Sequence, residues 1–345
     1  MVEAGFRVVL LVADGRGDSS QAGVIIRDIG RFGGRIQRML IAPFKLFQAA
    51  LKTRALIYQI HDPELLPFAY VLKRVSKAKL IYDSHEYYQG LFQHKEYYSP
   101  RVGKLISKSF GLLENFIVNR LDHLIITTQI HQQLFCKVPH RSIIYNYPRE
   151  EDWLAPSPDN DSEVIPHLCY IGSITAERGI STLVQALEGL DCRLYLAGAY
   201  EPPSYREKLR QLPGWEKVDE IGYADRKKAA EIVSMSRVGM ILLQDRPNYR
   251  TSLATKLFEY MMGSIPVIVS DFEIYRSILA EAGCGLLVDP ADLGQIRQAI
   301  RYFLDNPLEA TQMGKKGRET AAQKFSWKTE EAKLVNLYKT LLLKA

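Results

Sequence analysis

Short apolar runs alternate with longer amphipathic stretches along almost the whole chain. The runs are rich in Val, Ile, Leu and Tyr, and this composition predicts short buried strands. They fall into two series, separated by a stretch rich in proline and acidic residues. The predicted strands are Phe6–Ala13, Val24–Ile26, Ala55–Ile60, Lys79–Tyr82, His123–Thr127 and Ser142–Tyr145, then Pro166–Ile171, Cys192–Ala197, Val218–Ile221, Val238–Leu242, Ile265–Val269 and Cys284–Val288.

The stretches between these runs carry apolar residues at helical spacing, so each predicts an amphipathic helix. Strands that alternate with helices form parallel sheets covered by helices, and here the alternation occurs twice. The sequence therefore predicts an α/β protein with two Rossmann-like domains. The predicted helices are Ile36–Lys52, Glu64–Val75, Val102–Asn119, Gly179–Leu190, Tyr205–Gln211, Asp225–Ser234, Leu253–Met262, Phe272–Ala282, Asp292–Asp305, Pro307–Phe325 and Trp327–Leu343.

The predicted domain boundaries follow from the same pattern. Residues 1–150 form the first domain, residues 151–165 are predicted to be a linker because they are rich in proline, serine and acidic residues, and residues 166–326 form the second domain. The last helix, in residues 327–345, follows a complete second domain, and we expect it to pack back on the first. The opening residues predict the end of a helix closed by Gly5, so the first strand and turn of a doubly wound domain are expected to be missing, or the assigned start to be late.

Composition narrows the class of protein. The 345 residues are 47% hydrophobic and 24% charged, as in ordinary globular proteins. The four cysteines lie far apart, which argues against a disulfide framework or a zinc site and for a reducing compartment. The sequence has no apolar run of membrane-spanning length and no signal-peptide pattern at its start, so a cytoplasmic location is expected.

Charge is distributed unevenly. Residues 1–150 hold 21 Lys+Arg against 12 Asp+Glu, a net charge of +9, whereas the remainder carries −3. Much of the excess lies in Arg27–Arg54 and Arg101–Arg120, where basic residues are mixed with Leu, Ile and Phe. Such stretches suit contact with anionic lipid or a diphosphate-bearing acceptor, and equally a core-packing helix with a solvated basic face. No nucleic-acid-binding motif accompanies them, so no nucleic acid partner is expected.

The segment Lys256–Asp271, KLFEYMMGSIPVIVSD, carries the most specific local pattern. Lys256 and Glu259 are three residues apart and share a helix face before Gly263 and Pro266 break the helix. An ammonium and a carboxylate held together at a helix start suit a phosphate and a ribose hydroxyl pair. The alternative from spacing alone is a surface ion pair on an amphipathic helix.

Several motifs in order along the chain resemble the retaining GT-B glycosyltransferases of family 4. They are IHDPELLP at Ile60–Pro67, IYDSHEYY at Ile81–Tyr88, YIGSITAERGISTLVQAL at Tyr170–Leu187, KLFEYMMGSIPVIVSD, CGLLVDPADLGQIRQAI at Cys284–Ile300 and FSW at Phe325–Trp327. The first two are similar to a bacterial surface-polysaccharide branch. The resemblance covers nearly the whole chain and implies two Rossmann-like domains facing across a cleft.

The resemblance also implies a function. Such proteins transfer a sugar, with retention of configuration, from a nucleoside diphosphate donor to a glycan or a polyprenyl-diphosphate-linked acceptor, without an obligate metal or other cofactor. The donor is expected to be a UDP-sugar held by the second domain, and the acceptor is expected on the first. A cytoplasmic enzyme of cell-surface polysaccharide or lipopolysaccharide synthesis, peripheral on the inner face of the membrane, is the corresponding expectation.

Site residues carry over by position. Glu259 matches the ligand of the ribose hydroxyls, Lys256 lies near the same nucleotide, and Arg178 matches the basic residue that binds the diphosphate. Gly172 and Ser173 open the phosphate turn, whose backbone N–H groups through Thr175 are expected to add donors.

On the first domain, His85 matches the histidine that contacts the donor sugar at the reacting carbon and is the expected catalytic residue. His61, Asp62, Glu64 and Glu86 are expected on the acceptor side.

Two positions depart from the family pattern: Thr251 replaces the first of two glutamates eight residues apart, and Ser173 replaces a basic residue. With the expected loss of the first Gly-rich turn, these departures favour a non-catalytic nucleotide-sugar-binding remnant or subunit as one alternative. A nucleotide-sugar 2-epimerase, which shares the architecture, is another.

A metal cluster drawn from six residues is a further interpretation of the first-domain motifs. These residues are His61, Asp62, Glu64, Asp83, His85 and Glu86.

Overall fold

The computed structural model describes residues 1–34, 37–85, 100–127, 135, 138–153, 165–250 and 252–343. The chain divides into two compact units. Unit 1 comprises residues 1–145 and 330–345, and unit 2 comprises residues 146–329. The last helix thus belongs to unit 1 for most of its length. Residues 154–164, most of the expected linker, lie outside the described residues, and Trp153 just before them is buried.

Unit 1 contains two small sheets and four helices among its described residues. The first sheet has the strand order β1-β3-β2 and the second the order β4-β5-β6-β7, with all pairs of the second parallel. Its elements are β1 Val9–Val12, β2 Ser19–Gln21, β3 Val24–Asp28, α1 Ala42–Thr53, β4 Ile57–Ile60, α2 Leu66–Ser76, β5 Lys79–Ser84, α3 Pro100–Val118, β6 His123–Ile126, β7 Arg141–Ile143 and, after unit 2, the helix Trp327–Leu343.

Unit 2 is a single six-stranded parallel sheet, of order β10-β9-β8-β11-β12-β13, with helices around it. Two of its inner strands, Val238–Ile241 and Val267–Ser270, are completely buried, as the apolar runs predicted. Its elements are β8 His167–Ile171, α4 Ile180–Ala186, β9 Arg193–Ala197, α5 Tyr205–Arg210, β10 Val218–Gly222, α6 Arg226–Ser234, β11 Val238–Ile241, α7 Pro247–Arg250, α8 Thr255–Met262, β12 Val267–Ser270, α9 Glu273–Ala282, β13 Gly285–Val288, α10 Leu293–Asp305 and α11 Pro307–Lys324; the helix Trp327–Leu343 is α12.

Each predicted strand and helix has a counterpart, with ends shifted by a few residues, but two expectations for unit 1 were wrong. The strand Ser19–Gln21 was missed because it is short, polar and exposed, and it pairs antiparallel with β3. The opening residues form a turn closed by Gly5 at φ +87°, rather than the end of a helix.

The helix α12 packs on unit 1 through its buried face. Glu330 is 2% exposed and accepts a hydrogen bond from the backbone N–H of Tyr145 at 3.0 Å. The Tyr338 ring meets Phe6 edge to face, with centroids 5.8 Å apart. An aromatic contact and a buried hydrogen bond therefore hold this helix against the sheet elements of unit 1.

The helix α3 has an unusual distribution of polarity. It buries Ser107 and Glu114, while Leu105 and Leu112 are each 66% exposed and Phe116 is 47% exposed. The Tyr82 hydroxyl donates to Glu114, so the buried carboxylate has a partner. The core-packing interpretation holds for the end of this helix, where Ile117 and Val118 are buried in the core of unit 1, while Leu105, Leu112 and Phe116 lie outside that core. No helix in the described part of the chain is long and apolar enough to cross a membrane.

Candidate functional site

Lys256 lies in the first turn of α8 and is almost completely buried, at 6% exposure. Its Nζ has no hydrogen-bond partner among the described residues, and it lies 3.9 Å from the centroid of the Tyr170 ring. Burial and the neighbouring Arg178 lower the pKa of Lys256 to about 7, and Glu259 opposes this shift only in part. The surface ion pair considered from spacing alone is therefore wrong for Lys256.

Arg178 reaches the same place from a different segment. A Cβ placed on Gly172 would lie 2.9 Å from Lys256 Nζ and 3.4 Å from Arg178 Nη1. Two cationic groups thus converge on the backbone of Gly172, at the end of β8. Two like charges this close, one of them buried without a partner, cost free energy unless an anion compensates them. Such an arrangement favours the binding of an anion.

Gly172 leaves space beside the two cationic groups because it has no side chain. Its φ of +137° is a conformation that residues with a Cβ rarely adopt, and a side chain would displace the Lys256 ammonium. Gly179 instead serves packing, since a Cβ there would lie 2.0 Å from the carbonyl oxygen of Leu242.

The backbone donors of the phosphate turn are fewer than expected. The N–H of Gly172 donates to Ala197 O at 2.9 Å and that of Ile174 to Ala199 O at 2.7 Å, so neither remains for a phosphate. Ser173 contributes its carbonyl oxygen to the Tyr170 hydroxyl, at 2.8 Å. The Thr175 hydroxyl, by contrast, is buried without a hydrogen-bond partner in the described part of the chain. The sequence interpretation considered only the backbone of this residue and missed its side chain.

Glu259 lies one helical turn after Lys256 and is half-buried. Burial raises the pKa of its carboxyl, with Lys256 and then Arg226 acting in the opposite direction. Arg226 begins α6 and forms an ion pair with Asp152 at 2.9 Å. Residues Gly172, Ser173, Arg178, Lys256 and Glu259 therefore form one cluster in unit 2, which we call the cation cluster.

A second cluster forms in unit 1, where β4 and β5 are parallel neighbours and end side by side. His61 follows β4, and Asp83 and His85 lie at the end of β5. His61 Nδ1 is 2.9 Å from His85 Nε2 and 3.4 Å from an oxygen of Asp83, and His85 Nε2 is 3.6 Å from the other oxygen. Burial raises the pKa of the Asp83 carboxyl and lowers the pKa of His61.

Two consecutive side-chain hydrogen bonds connect this cluster to α12. Tyr338 on α12 donates to the Gln59 amide oxygen, and the Gln59 amide nitrogen donates to Asp83 Oδ2 at 2.8 Å. Sequence reasoning missed Gln59 and Tyr338, because Tyr338 is 279 residues distant and only the packing of α12 brings it near.

The remaining residues expected on the acceptor side are Asp62, Glu64 and Glu86. Asp62 and Glu64 are exposed in the turn that leads into α2. Glu86 lies outside the described residues, as does Thr251. Within the described part of the chain, His61 is the only residue expected on the acceptor side that belongs to the His61–Asp83–His85 cluster.

Known proteins of this fold identify its class. The structure is similar to sucrose-phosphate synthase of Thermosynechococcus elongatus, with a TM-score of 0.82, 17% identity and coverage of 100% of this chain and 91% of that one. It is also similar to HepE of Anabaena in complex with UDP and glucose, with a TM-score of 0.73, 13% identity and coverage of 96% and 99%. The fold is that of the GT-B glycosyltransferases.

Sequence comparison agrees with this fold. Residues 158–320, a little under half of the chain, match the family model described as glycosyl transferases group 1. An MMP alpha-(1->4)-mannosyltransferase of Mycolicibacterium hassiacum is 26% identical over 170 residues, 47% of this chain and 39% of the relative. An alpha-D-kanosaminyltransferase of Streptomyces kanamyceticus is 21% identical over 182 residues, 51% and 46%. The matched segment thus spans less than half the length of either relative.

Proposed function

We propose that this chain is a retaining glycosyltransferase of the hexosyltransferase type, which moves a sugar from a UDP-sugar to a glycan or polyprenyl-diphosphate-linked acceptor. The observation that carries the proposal is the buried Nζ of Lys256, which has no hydrogen-bond partner in the described part of the chain and lies beside Arg178, in a segment that matches the glycosyl transferases group 1 model. An anion of two or more charges is what such a pair requires, and the diphosphate of a nucleotide-sugar supplies it.

The cation cluster suits the chemistry of the transfer. Departure of the nucleoside diphosphate builds negative charge on its phosphates, and Lys256 and Arg178 stabilise this charge as the glycosidic bond breaks. Glu259, one turn along α8, is positioned to accept hydrogen bonds from the ribose hydroxyls. The absence of a side chain on Gly172 leaves room for the phosphate, and the Thr175 hydroxyl adds a donor. Retention without a covalent intermediate then depends on close positioning of donor and acceptor.

UDP is proposed as the nucleotide of the donor. HepE of Anabaena, whose fold is similar, is known in complexes with UDP and with UDP-glucose. In unit 1, His85 is proposed to contact the donor sugar at the reacting carbon, while His61, Asp62, Glu64 and Glu86 orient acceptor hydroxyls. A metal ion is not required for these roles.

We further propose that the enzyme works on the cytoplasmic face of a membrane, in cell-surface polysaccharide or lipopolysaccharide synthesis. The exposed face of α3 supports this, since Leu105, Leu112 and Phe116 project outward beside the exposed Lys104 and Lys108. A helix with exposed apolar and basic residues binds anionic lipid surfaces by burying its apolar side chains and by electrostatic attraction to the lipid headgroups. The helix α1 also carries an exposed Phe and two exposed lysines: Phe44, Lys45 and Lys52.

Titration calorimetry with UDP tests the site. Glu259→Ala should weaken UDP binding by about 1–3 kcal/mol, the cost of losing hydrogen bonds to a charged group. Glu319→Ala, which removes an exposed carboxylate from α11 of the same unit, is the matched control and should bind UDP as the unchanged protein does. Equal affinity of the Glu259 variant and this control would refute the site assignment.

Consumption of the donor tests the reaction. We expect UDP release from a UDP-sugar to depend on a lipid-linked acceptor. Turnover that does not need an acceptor would indicate hydrolysis or 2-epimerisation. A donor that binds through Lys256 but is never consumed would indicate the non-catalytic remnant.

Vesicle sedimentation tests the membrane face. The protein should pellet with vesicles that contain anionic phosphatidylglycerol, less so at high salt, and should remain in solution with neutral phosphatidylcholine vesicles. The double variant Leu105→Ser, Leu112→Ser should lose this binding. Leu308→Ser, at an exposed leucine of unit 2 (75% exposed), is the control and should bind normally. Equal binding of all three proteins would exclude α3 as the contact.

A further inference from the structure

The His61–Asp83–His85 cluster has the donor atoms of a metal site. Two imidazole nitrogens and one carboxylate oxygen, one from each residue, lie within 4.8 Å of one another. Two histidines and a carboxylate are a ligand set that zinc and similar transition metals accept in proteins.

The separations of these atoms can be compared with those around a tetrahedral ion. Zinc-to-nitrogen bonds of about 2.0–2.1 Å place neighbouring ligand atoms of a tetrahedron about 3.3 Å apart. In the cluster, His61 Nδ1 lies 2.9 Å from His85 Nε2 and 3.4 Å from Asp83 Oδ2, while His85 Nε2 lies 3.6 Å from Asp83 Oδ1. One carboxylate oxygen and the two imidazole nitrogens lie within 4.8 Å of one another, so a rotation of the Asp83 carboxylate and small movements of the imidazoles would bring the three atoms to the tetrahedral separation.

Asp83 supplies a second, independent observation. Its side chain is buried, and its Oδ1 has no hydrogen-bond partner among the residues that the structure describes. The other oxygen, Oδ2, is held at 2.8 Å by the amide of Gln59, whose own orientation is fixed by Tyr338. A buried carboxylate oxygen left without a partner is costly, and a bound cation removes that cost. The support of Oδ2 is the outer contact that metal-binding carboxylates usually have.

We propose that His61, Asp83 and His85 bind a divalent transition-metal ion of the zinc type at the end of β4 and β5. The chain supplies three ligands, His61 Nδ1, His85 Nε2 and Asp83 Oδ1, and a fourth position stays open to water or to an exogenous ligand. The ion is an addition to the site rather than a requirement of the transfer.

The proposal has a consequence for activity that rests on the proposed function. His85 is the residue assigned to the donor sugar, and we assign this contact to Nε2, the nitrogen that faces the cluster and that a bound metal ion would occupy. Bound zinc therefore inhibits transfer, and a chelator restores it. Binding of UDP itself, which depends on the cation cluster of unit 2, is unaffected.

The decisive experiment is a titration of the donor-free full chain with Zn²⁺ alone, followed by Co²⁺ as a spectroscopic probe. We expect one Zn²⁺ per chain, a higher unfolding temperature when it is bound, and the visible absorption of a tetrahedral site with Co²⁺. His61→Gln and Asp83→Asn should each weaken Zn²⁺ binding by at least about tenfold. His140→Gln removes an exposed histidine of the same unit and is the matched control, with unchanged affinity.

Three results would overturn the proposal. One is the absence of Zn²⁺ binding at micromolar concentration, which would leave the two imidazoles as a hydrogen-bonded pair. Another is equal Zn²⁺ affinity in Asp83→Asn and in the His140 control. The third is a Zn²⁺-induced rise in unfolding temperature that persists in both cluster variants. UDP titration of the same proteins keeps this test separate, because normal UDP binding without Zn²⁺ binding refutes the metal site and leaves the proposed function standing.

Discussion

The ammonium of Lys256 lies 3.9 Å from the centroid of the Tyr170 ring, and the two residues come from segments 86 positions apart. The ring face offers this cation a partial partner of its own, since the negative π-face attracts an ammonium. That contact does not replace hydrogen bonds, and the pKa of Lys256 still falls to about 7, chiefly through burial. In the free protein the charged form of Lys256 is therefore unfavourable, and a bound anion would stabilise it.

The first prediction concerns Gly172. Gly172→Ala should raise the Kd for UDP about ten- to a hundredfold, because a Cβ 2.9 Å from Lys256 Nζ displaces the ammonium and strains a backbone at φ +137°. Titration calorimetry measures the change.

Gly189→Ala is the matched control, since Gly189 also has a positive φ, +71°, but a Cβ placed there would have no atom within 4 Å. That variant should lose some stability and keep its affinity. Similar affinities of the two variants would contradict the role of the Gly172 position.

The second prediction concerns pH. Lys256 is about half protonated near pH 7 in the free protein, and a bound diphosphate favours its charged form and so raises its pKa. Binding above pH 7 therefore takes up a proton, and the UDP affinity should fall as the pH rises, by up to about tenfold per pH unit. Calorimetry at several pH values, in buffers of different ionisation enthalpy, measures both quantities.

Lys256→Met supplies the control for this pH dependence. Its UDP affinity should be weak and nearly independent of pH, from pH 7 up to the alkaline pH at which the protein unfolds. A steep pH dependence that survives the substitution would assign the proton to another group.

The third prediction concerns the support of His85. Tyr338→Phe removes the hydroxyl that holds the Gln59 amide, so Asp83 loses its fixed orientation. The kcat for transfer should fall about fivefold, equivalent to the loss of one hydrogen bond of about 1 kcal/mol, while the Kd for UDP stays unchanged. Tyr70→Phe, which affects a tyrosine paired with Arg74 on α2, should leave both values unchanged. A parallel loss of UDP binding would mean that Tyr338 acts on the fold as a whole.

The fourth prediction concerns the attachment of α12. Glu330→Ala should lower the free energy of unfolding by about 1–3 kcal/mol, because the Tyr145 N–H loses its acceptor and the Lys333 ammonium its partner at 2.7 Å. Chemical denaturation measures the loss. Glu331→Ala, at the half-buried neighbouring position, should change stability by less than about 0.5 kcal/mol. Equal effects of the two variants would show that the buried hydrogen bond carries no special weight.

Much of the fold follows from local patterns. The buried apolar runs of unit 2, such as Ile265–Val269, were predicted because parallel strands covered on both faces are largely apolar. The strand Ser19–Gln21 could not be predicted in this way, since its residues are polar and exposed and only its pairing with β3 defines it. The exposure of the leucines of α3 could not be predicted either, because helical spacing identifies an apolar face without showing what covers it.

By itself, the sequence determined the order of elements and the positions of Lys256, Glu259, Arg178 and His85 within recognisable motifs. Only the tertiary structure decided that Lys256 is buried without a partner among the described residues beside Arg178, and that Asp83 lies between two histidines with Gln59 and Tyr338 behind it. The physical reason is that burial, and with it the pKa of an ionisable group, depends on side chains from distant segments. Periodicity and spacing report only on neighbours along the chain.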